Sequence, residues 1–438
     1  MRQRTSASAS RASVPRWIAA ALPAWLLQGC AGLPQADQDI RIALRGADSE
    51  TRLQLLRQQG SRITGVPFVN GNEVELLRDG PATYRAMEAA IDSAQRRIDM
   101  ESYLFDGAEG PVIADHLLAR RARGVEVHLV YDAWGSMDTP AALFDRLRQG
   151  GVHVLEFNPL TSAALVGDLN HRDHRKLLVV DSALAITGGI NISETYRHKR
   201  RPLAEPLEPD TGPWRDTDVR IRGPAVAEFE ALFVSTWREH GGDAIADAPT
   251  SAQRAGELMV EAIGSSPEHD QQYMYRSLLV AISLARRSVH LTTGFFAPTP
   301  ELDRALRAAA RRGVDVALLL PGTSTSPATL AAGHSFYEDL LESGVRIYEC
   351  RDAVLHAKTA VIDGEWSTVG SSNLDWRSAA LNNEINAVVL GRRFGAAMEA
   401  MFRADIAAAQ PIDRTQWSQR PLSSRLHEKL SLLLQYYL

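Results

Sequence analysis

NHRDHRKLLVVDSALAITGGINIS, residues 170 to 193, sets His174, Lys176 and Asp181 in the spacing H-x-K-x4-D and follows them with Asn191 behind a Gly188-Gly189 pair. The same figure returns in LHAKTAVIDGEWSTVGSSN, where His356, Lys358, Asp363 and Asn373 each stand 182 residues after their counterparts. Two four-residue matches in one register mark a duplication. Its extent is wider than the motifs: AISLARRSVHLTTGFF from Ala281 aligns with AIDSAQRRIDMESYLF from Ala90 at an offset of 191. Gly313-Val314 answers Gly124-Val125 at 189, and Gly344-Val345 answers Gly151-Val152 at 193. Such drift is what loops of unequal length leave between two copies of one fold.

Each copy alternates helical and extended patterns. YRAMEAAIDSAQRR puts Met87, Ile91 and Ala94 on one helical face before the extended run Ile98 to Phe105. Helix over Val112 to Arg123, strand over Val125 to Tyr131, helix over Pro140 to Gln149 and strand over Val152 to Phe157 follow. The predicted fold is therefore α/β, with two tandem domains, each a largely parallel mixed sheet flanked by helices. A segment rich in Gly, Ala and small polar residues, His240 to Gly256, divides them. The divisions read as 1–30, a leader; 31–73, an extension with a helix over Glu50 to Gln59 stopped by Gly60; 74–245 and 246–410, the two domains; and 411–438, a tail.

An H-x-K sequence on a strand points both side chains to one face, because side chains alternate with period two. Phosphodiester chemistry needs this set of groups. Cations must offset the charge on the phosphoryl oxygens, a nucleophile must attack in line, and the leaving alkoxide must gain a proton. Lys176 and Lys358 supply the charge without a metal; His174 and His356 divide attack and protonation. Asp181 and Asp363 follow the apolar runs LLVV and TAVI and precede a turn, a place for fixing backbone rather than touching substrate. A nucleophilic histidine needs a carboxylate on its second nitrogen. Asp216 and Glu384 each precede a strand-ending glycine by seven residues, in DTDVRIRG and EINAVVLG, and are assigned to that role, with Asp218 close enough to replace Asp216. A metal reading of His171, Asp173 and His174 has the right ligand types. No matching cluster stands in the second half, so no metal and no cofactor is expected.

On these residues the chain resembles the phospholipase D superfamily, in which two H-x-K-x4-D copies form one active site. LHAKTAVIDGEWSTVGSSNLDWRS looks like the second motif of bacterial cardiolipin synthases, and the likeness runs from about Val74 to the C-terminus. The resemblance implies one active site shared by both domains. It implies Asn191 and Asn373 in the phosphate cradle and His174 as the nucleophile, with His356 as the acid. Asp216 and Glu384 are then expected to hold the rings of His174 and His356 respectively. It further implies a phosphatidyltransferase that makes cardiolipin from phosphatidylglycerol and a donor phospholipid, phosphatidylethanolamine among the candidates, through a phosphohistidine. The alternative is a hydrolytic phospholipase D that releases phosphatidic acid.

Composition narrows the partners. Apolar content of 45% and charged content of 23% are those of a folded globular protein. The net charge of −5 falls by four to −9 without Arg2, Arg4, Arg11 and Arg16, the wrong sign for a nucleic-acid partner. The first thirty residues read as a leader whose apolar run, Trp17 to Leu27, is too short to span a bilayer. It ends in Leu27-Gln28-Gly29-Cys30, which resembles a lipoprotein signal and makes Cys30 the expected lipidation site; an ordinary secretory leader is the alternative. The expected location is the bacterial cell envelope, lipid-anchored on the periplasmic side, with membrane phospholipids and the membrane surface as partners. Cys350, without a partner, reads as a small buried residue. The cations Arg197 to Arg201 read either as a solvated loop or as a contact to lipid headgroups. In the tail, Leu426, Leu430, Leu433 and Tyr437 share a helical face that either packs on the body or beds in the bilayer.

Overall fold

The computed structural model describes residues 34–46, 51–160, 170–197, 213–245, 253–267 and 272–432. The leader with Cys30, the cations His198 to Arg201, and Leu433 and Tyr437 of the tail lie outside the described residues.

The first half contributes β1 (Val69–Arg78), β2 (Arg97–Ser102), β3 (Glu126–Asp132), β4 (His153–Phe157), β5 (Arg172–Asp173), β6 (Lys176–Val180), β7 (Leu184–Gly188), β8 (Trp214–Arg215) and β9 (Thr217–Arg222). In the second half are β10 (Leu258–Ser265), β11 (Ser288–Thr292), β12 (Phe296–Ala297), β13 (Asp315–Pro321), β14 (Arg346–Cys350) and β15 (Val354–Leu355). They are followed by β16 (Thr359–Ile362), β17 (Trp366–Gly370), β18 (Leu374–Asp375), β19 (Asn382–Leu390) and β20 (Gln410–Pro411).

The duplication is visible in the sheet order. The first half runs β1-β9-β7-β6-β2-β3-β4 and the second β10-β19-β17-β16-β11-β13-β14, the same sequence of equivalent strands. Antiparallel pairing of β1 with β10 joins the two, Val69 opposite Val260 and Asn70 opposite Met259. Parallel pairing holds where strand and helix alternate, over β2, β3 and β4 and over β11, β13 and β14. The motif strands β6 and β16 are hairpin-connected to β7 and β17 and antiparallel to their neighbours.

Every residue of β6 and β16 is buried, which explains why KLLVV and TAVI read as continuous apolar runs instead of alternating ones. On one side of the first sheet Tyr84, Met87 and Ile91 of helix Gly80–Ser93 pack with Leu178, Val180 and Ile186. On the other, Phe229, Phe233 and Trp237 of helix Val226–Glu239 join a core that also holds Val361, Val369, Ile385 and Met398 of the second half. The halves therefore share one apolar core. Truncating Phe229 to alanine there removes about 3–5 kcal/mol.

The extension is built from helices Pro34–Gly46 and Arg52–Thr64, whose Ala36, Ala43, Leu55, Leu56 and Ile63 pack with helix Tyr273–Leu284 of the second half. Gly60 does not stop the second of these helices, which continues to a left-handed cap at Gly65. Gly60 is there for close approach: a Cβ would come within 2.8 Å of the Phe68 ring and 2.9 Å of the Glu261 carboxylate. The tail helix Leu422–Ser431 buries Glu428 and Ser431, while Leu422, Leu426 and Leu430 face outwards at 79%, 61% and 55% exposure. Of the two readings of these leucines, packing on the body does not hold for Leu422, Leu426 and Leu430.

Asp181 and Asp363 end the motif strands in the left-handed region, at φ 53° and 54°. Asp181 accepts from the backbone N–H of Gln95, Arg96 and Arg97 at 2.7–2.9 Å, and Asp363 from Arg286, Arg287 and Ser288 at 2.7–2.9 Å. Each carboxylate thus ties the end of its motif strand to the start of the neighbouring strand, β2 or β11. Asp181→Ala should strand three donors and lower stability by about 3 kcal/mol, read as a fall in Tm. Turnover per folded molecule should stay close to the parent's. An unchanged Tm with lost turnover would instead put Asp181 among the reacting groups.

Candidate active site

Each motif histidine is placed by the opposite half of the chain. β5, just before His174, pairs with the start of β19, and β15, just before His356, pairs with β8. The ladders continue into the motifs: the His174 N–H donates to the Asn383 carbonyl at 3.0 Å and the His356 N–H to the Arg215 carbonyl at 2.8 Å. Glu384 and Asp216 are the next residues along those partner strands. Consequently His174 Nδ1 lies 3.1 Å from Glu384, and His356 Nδ1 lies 2.7 Å from Asp216 Oδ2. The carboxylates are the two expected, but they are exchanged: Glu384 holds His174 and Asp216 holds His356. Counting along the sequence pairs each acid with the histidine of its own half, whereas the strand exchange carries it across.

Asp218 does not substitute for Asp216. Its Oδ1 accepts from the Ile190 N–H at 3.1 Å, and burial pushes its carboxyl well above the ordinary range. Gly189 makes room for Asp216, since a Cβ there would lie 2.2 Å from Asp216 Oδ1. In the second half Ser371 takes the equivalent place and its hydroxyl donates to Glu384 instead.

Both histidines line a single cavity of about 350 Å³. Burial lowers His174 to about 4 and His356 to about 3, against the pull of their carboxylates. Both rings are therefore neutral at neutral pH. Lys176 and Lys358 are buried behind them, each ammonium donating to the carbonyl of its own motif histidine. Burial, aided by the repulsion of Lys358, lowers Lys176 to about 7, and burial lowers Lys358 to about 8 against the pull of Asp216 and Glu384. Glu384 and Asp216 are held below the usual carboxylate range by His174 and His356, despite burial. A cluster of buried cations with lowered pKa values is one that an anion would stabilise.

Asn191 and Asn373 both face this cavity but are not equivalent. Asn191 accepts from the Leu104 N–H at 3.2 Å and donates to the Tyr196 hydroxyl at 3.0 Å, which in turn lies 3.2 Å from His356 Nδ1. Asn373 keeps its Oδ1 buried without a partner among the described residues. The walls add residues that the motif reading missed: Tyr103, edge-on to His174 at 5.2 Å; Trp214, 5.1 Å from His356; Phe295; and the cations Arg172 and Arg377. The signal for Arg172 was present, since it precedes His174 by two residues on a strand and shares its face.

The metal reading finds other uses for its residues. His171 Nε2 pairs with Asn383 Oδ1 at 2.9 Å, and Asp173 points away from the cleft toward Glu101. Among the described residues no group of three or more ligand side chains converges. Arg197, expected either in solvent or at headgroups, is held by Glu88 and Glu109 over the Tyr84 ring. Cys350 is buried, its thiol against Asp352 and the Ala353 carbonyl.

Comparison with known proteins places these features in a family. The sequence profile described as "Cardiolipin synthase, PLD-like domain" matches residues 87–200 and 278–406. A cardiolipin synthase of Geobacillus thermodenitrificans is 32% identical over 85% of this chain and 74% of its own length. The major cardiolipin synthase of Bacillus subtilis is 30% identical over 84% of this chain and 76% of its own. Among solved structures, phosphatidylserine synthase of Haemophilus influenzae shares the fold at a TM-score of 0.63 and 12% identity, over 89% of this chain and all of that one.

The lowered lysines make anion binding a proton-linked event. Sulfate keeps its double charge at neutral pH, so any pH dependence belongs to the protein. Binding should draw a proton onto each lysine that is neutral beforehand, and affinity should fall as pH rises through about 7 and 8, where Lys176 and Lys358 discharge. Calorimetry in buffers of different ionisation enthalpy reads the proton uptake. An affinity flat across that range, with no uptake, would remove the lysines from the anion site.

Proposed function

Because this chain belongs to the phospholipase D-like cardiolipin synthase family, we propose that its cleft is a phosphatidyltransferase centre acting on membrane phospholipids, with phosphatidylglycerol as acceptor and cardiolipin as product. The observation that carries the reading is the crossed pair of histidines on one cavity, each with its own buried carboxylate.

His174 attacks the phosphorus of a donor phospholipid. Its neutral ring leaves Nε2 free as a nucleophile, while Glu384 accepts from Nδ1 and fixes the tautomer. Lys176 and Lys358 take up the charge that gathers on the phosphoryl oxygens. His356 protonates the departing headgroup alcohol. Its ring is otherwise neutral at neutral pH, so its proton is taken up from solvent as the substrate binds, because the anionic phosphodiester adds an attractive charge that raises every nearby cation. Once the alcohol has left, His356 is the neutral base that accepts a proton from the second lipid's hydroxyl. That oxygen then displaces His174 from phosphorus. Asn191 and Asn373 complete the cradle, and Asp181 and Asp363 hold the strand ends.

The relatives' names support transfer over hydrolysis. Phosphatidylethanolamine is the second donor to test. For the location we propose the periplasmic face of a bacterial envelope membrane, anchored through Cys30. Exposed Leu422, Leu426 and Leu430, with Trp134 and Met137 on the loop after β3, support attachment to a membrane surface. No helix among the described residues is long and apolar enough to cross a membrane. We place the domains at 74–245 and 246–410.

Purified protein given phosphatidylglycerol vesicles, with and without phosphatidylethanolamine, should yield cardiolipin; phosphatidic acid alone would return the hydrolytic reading. Flotation of the same vesicles reads attachment. The two histidines separate with a p-nitrophenyl phosphatidyl donor, whose leaving group needs little protonation. His356→Ala should still load and should hold a phosphatidyl adduct on His174, because the base for release is missing. His174→Ala should form none. An adduct on His356 in His174→Ala, with none in His356→Ala, would reverse the two roles.

A further inference from the structure

The pseudo-twofold that relates the two motifs does not extend to the charge of the cleft walls. On the His174 side stand Arg172, Arg377 and Tyr103; the residues 182 positions from the two arginines are Val354 and Thr195. Among the described residues the His356 side has no arginine and is aromatic, with Trp214, Phe295 and Thr195; the one carboxyl on the cavity lining, Asp375, is engaged as the cap of helix Trp376–Ala380, accepting from the Ser378 N–H at 2.7 Å. Both arginines belong to one patch. Arg377, in helix Trp376–Ala380 just before β19, donates to the Asn170 carbonyl at 3.3 Å, two residues from Arg172, and β5 pairs with β19. The charges of both are felt by the Tyr103 phenol, which burial pushes up to about 12.

Arg172 is incompletely satisfied. It is 1% exposed, yet its nearest carboxylate, Asp132, is 3.6 Å away and its one hydrogen bond, to the Asn158 carbonyl, is 3.5 Å long. Nε and Nη2 are buried with no partner among the described residues. Asp132 is also committed elsewhere, accepting from the backbone N–H of Trp134, Gly135 and Asp173 at 2.9 Å. A buried guanidinium with two idle donors costs free energy that a second anion beside it would recover.

Resting on the transfer reading above, we propose that Arg172 and Arg377 form a second phosphate subsite, which takes the phosphodiester of the acceptor phosphatidylglycerol while the two lysines hold the phosphorus being transferred. Cardiolipin carries two phosphodiesters on one glycerol, so two anions must share the cleft at the moment of transfer. The lysine pair can offset only the first. With the acceptor's own phosphate on the arginines, its free hydroxyl reaches the phosphohistidine. The new O–P bond forms as the bond from phosphorus to His174 breaks, and the hydroxyl proton passes to His356. The aromatic side is left to the neutral parts of the lipids. The arginines thus select for an anionic acceptor over water or a neutral alcohol.

The test compares two soluble acceptors, glycerophosphoglycerol, which carries the phosphodiester, and glycerol, which does not, using the full chain and a short-chain donor. In the parent protein the ratio of kcat/KM for the first over the second should exceed one. Arg377→Ala should lower that ratio about tenfold or more, through KM for glycerophosphoglycerol, and Arg377→Lys should restore part of it. Arg172→Lys, which keeps the charge and loses the planar fork, should lower it too. Adduct formation from the donor reports whether each variant is folded and competent. A parent that uses neither acceptor overturns the transfer reading, and this subsite with it. A parent that transfers, with a ratio that the substitutions leave unchanged or with both acceptors losing equally, overturns the subsite alone.

Discussion

The structure depends on an exchange of short strands. The segment before each motif histidine hydrogen-bonds to the strand that carries the other half's carboxylate. These are backbone ladders, so they fix the histidine main chain regardless of side chain, and they fix it relative to an acid more than 100 positions away: Glu384 lies 210 residues from His174, and Asp216 140 residues from His356. Neither half could assemble a histidine with its acid alone. The shared core behind the sheets, in which Phe229 and Phe233 sit with Val361 and Ile385, supplies the apolar burial that holds the exchange closed.

That burial sets the chemistry. Removing the histidines from water lowers both, which favours a neutral nucleophile but opposes a protonated acid. The lysines meet the same penalty. The histidines and lysines are thus held below their ordinary basicity, and the negative charge of a phosphodiester beside them would raise all four. In the proposed mechanism, substrate binding and protonation of His356 are therefore one event.

Much of this was legible in the chain. The paired spacing gave the four motif residues, the offsets near 190 gave the repeated sheet order, and counting back from Gly223 and Gly391 found both carboxylates. The partner of each carboxylate was not legible, because strand exchange is a matter of tertiary register with no periodicity to read. Gly60 misled for a related reason: a glycine placed for contact with Phe68 and Glu261 looks in sequence like one placed to end a helix. The outward leucines of the tail show the limit of helical periodicity, which finds a face without saying what it meets.

Duplication within one chain, rather than assembly of two identical chains, lets the copies diverge. The flanks of the first motif are charged where those of the second are apolar: Arg172, Asp173 and Arg175 stand opposite Val354, Leu355 and Ala357. The alternation of the strand sorts them, sending Arg172 to the cleft and Asp173 and Arg175 behind it. There Arg175 reaches Thr236 and the carbonyls of Ser265 and Glu384, and lies 3.9 Å from buried Glu101. Burial, then the charge of Glu101, pushes Asp173 well above the ordinary carboxyl range, and burial raises Glu101 as well. Arg175 therefore bonds to the backbone carbonyl of the residue that orients His174, and on the other side buried Arg215, held by Asp405 and Thr217, bonds to the backbone carbonyl of Asp216, which orients His356. A network of this kind resists rearrangement, because displacing any member strands a buried charge. Both sides of the cleft thus have a buried arginine behind the histidine's carboxylate, and the copies differ in where it comes from: Arg175 stands inside the first motif, whereas Arg215 stands on β8, outside the second motif, whose flanks are left apolar.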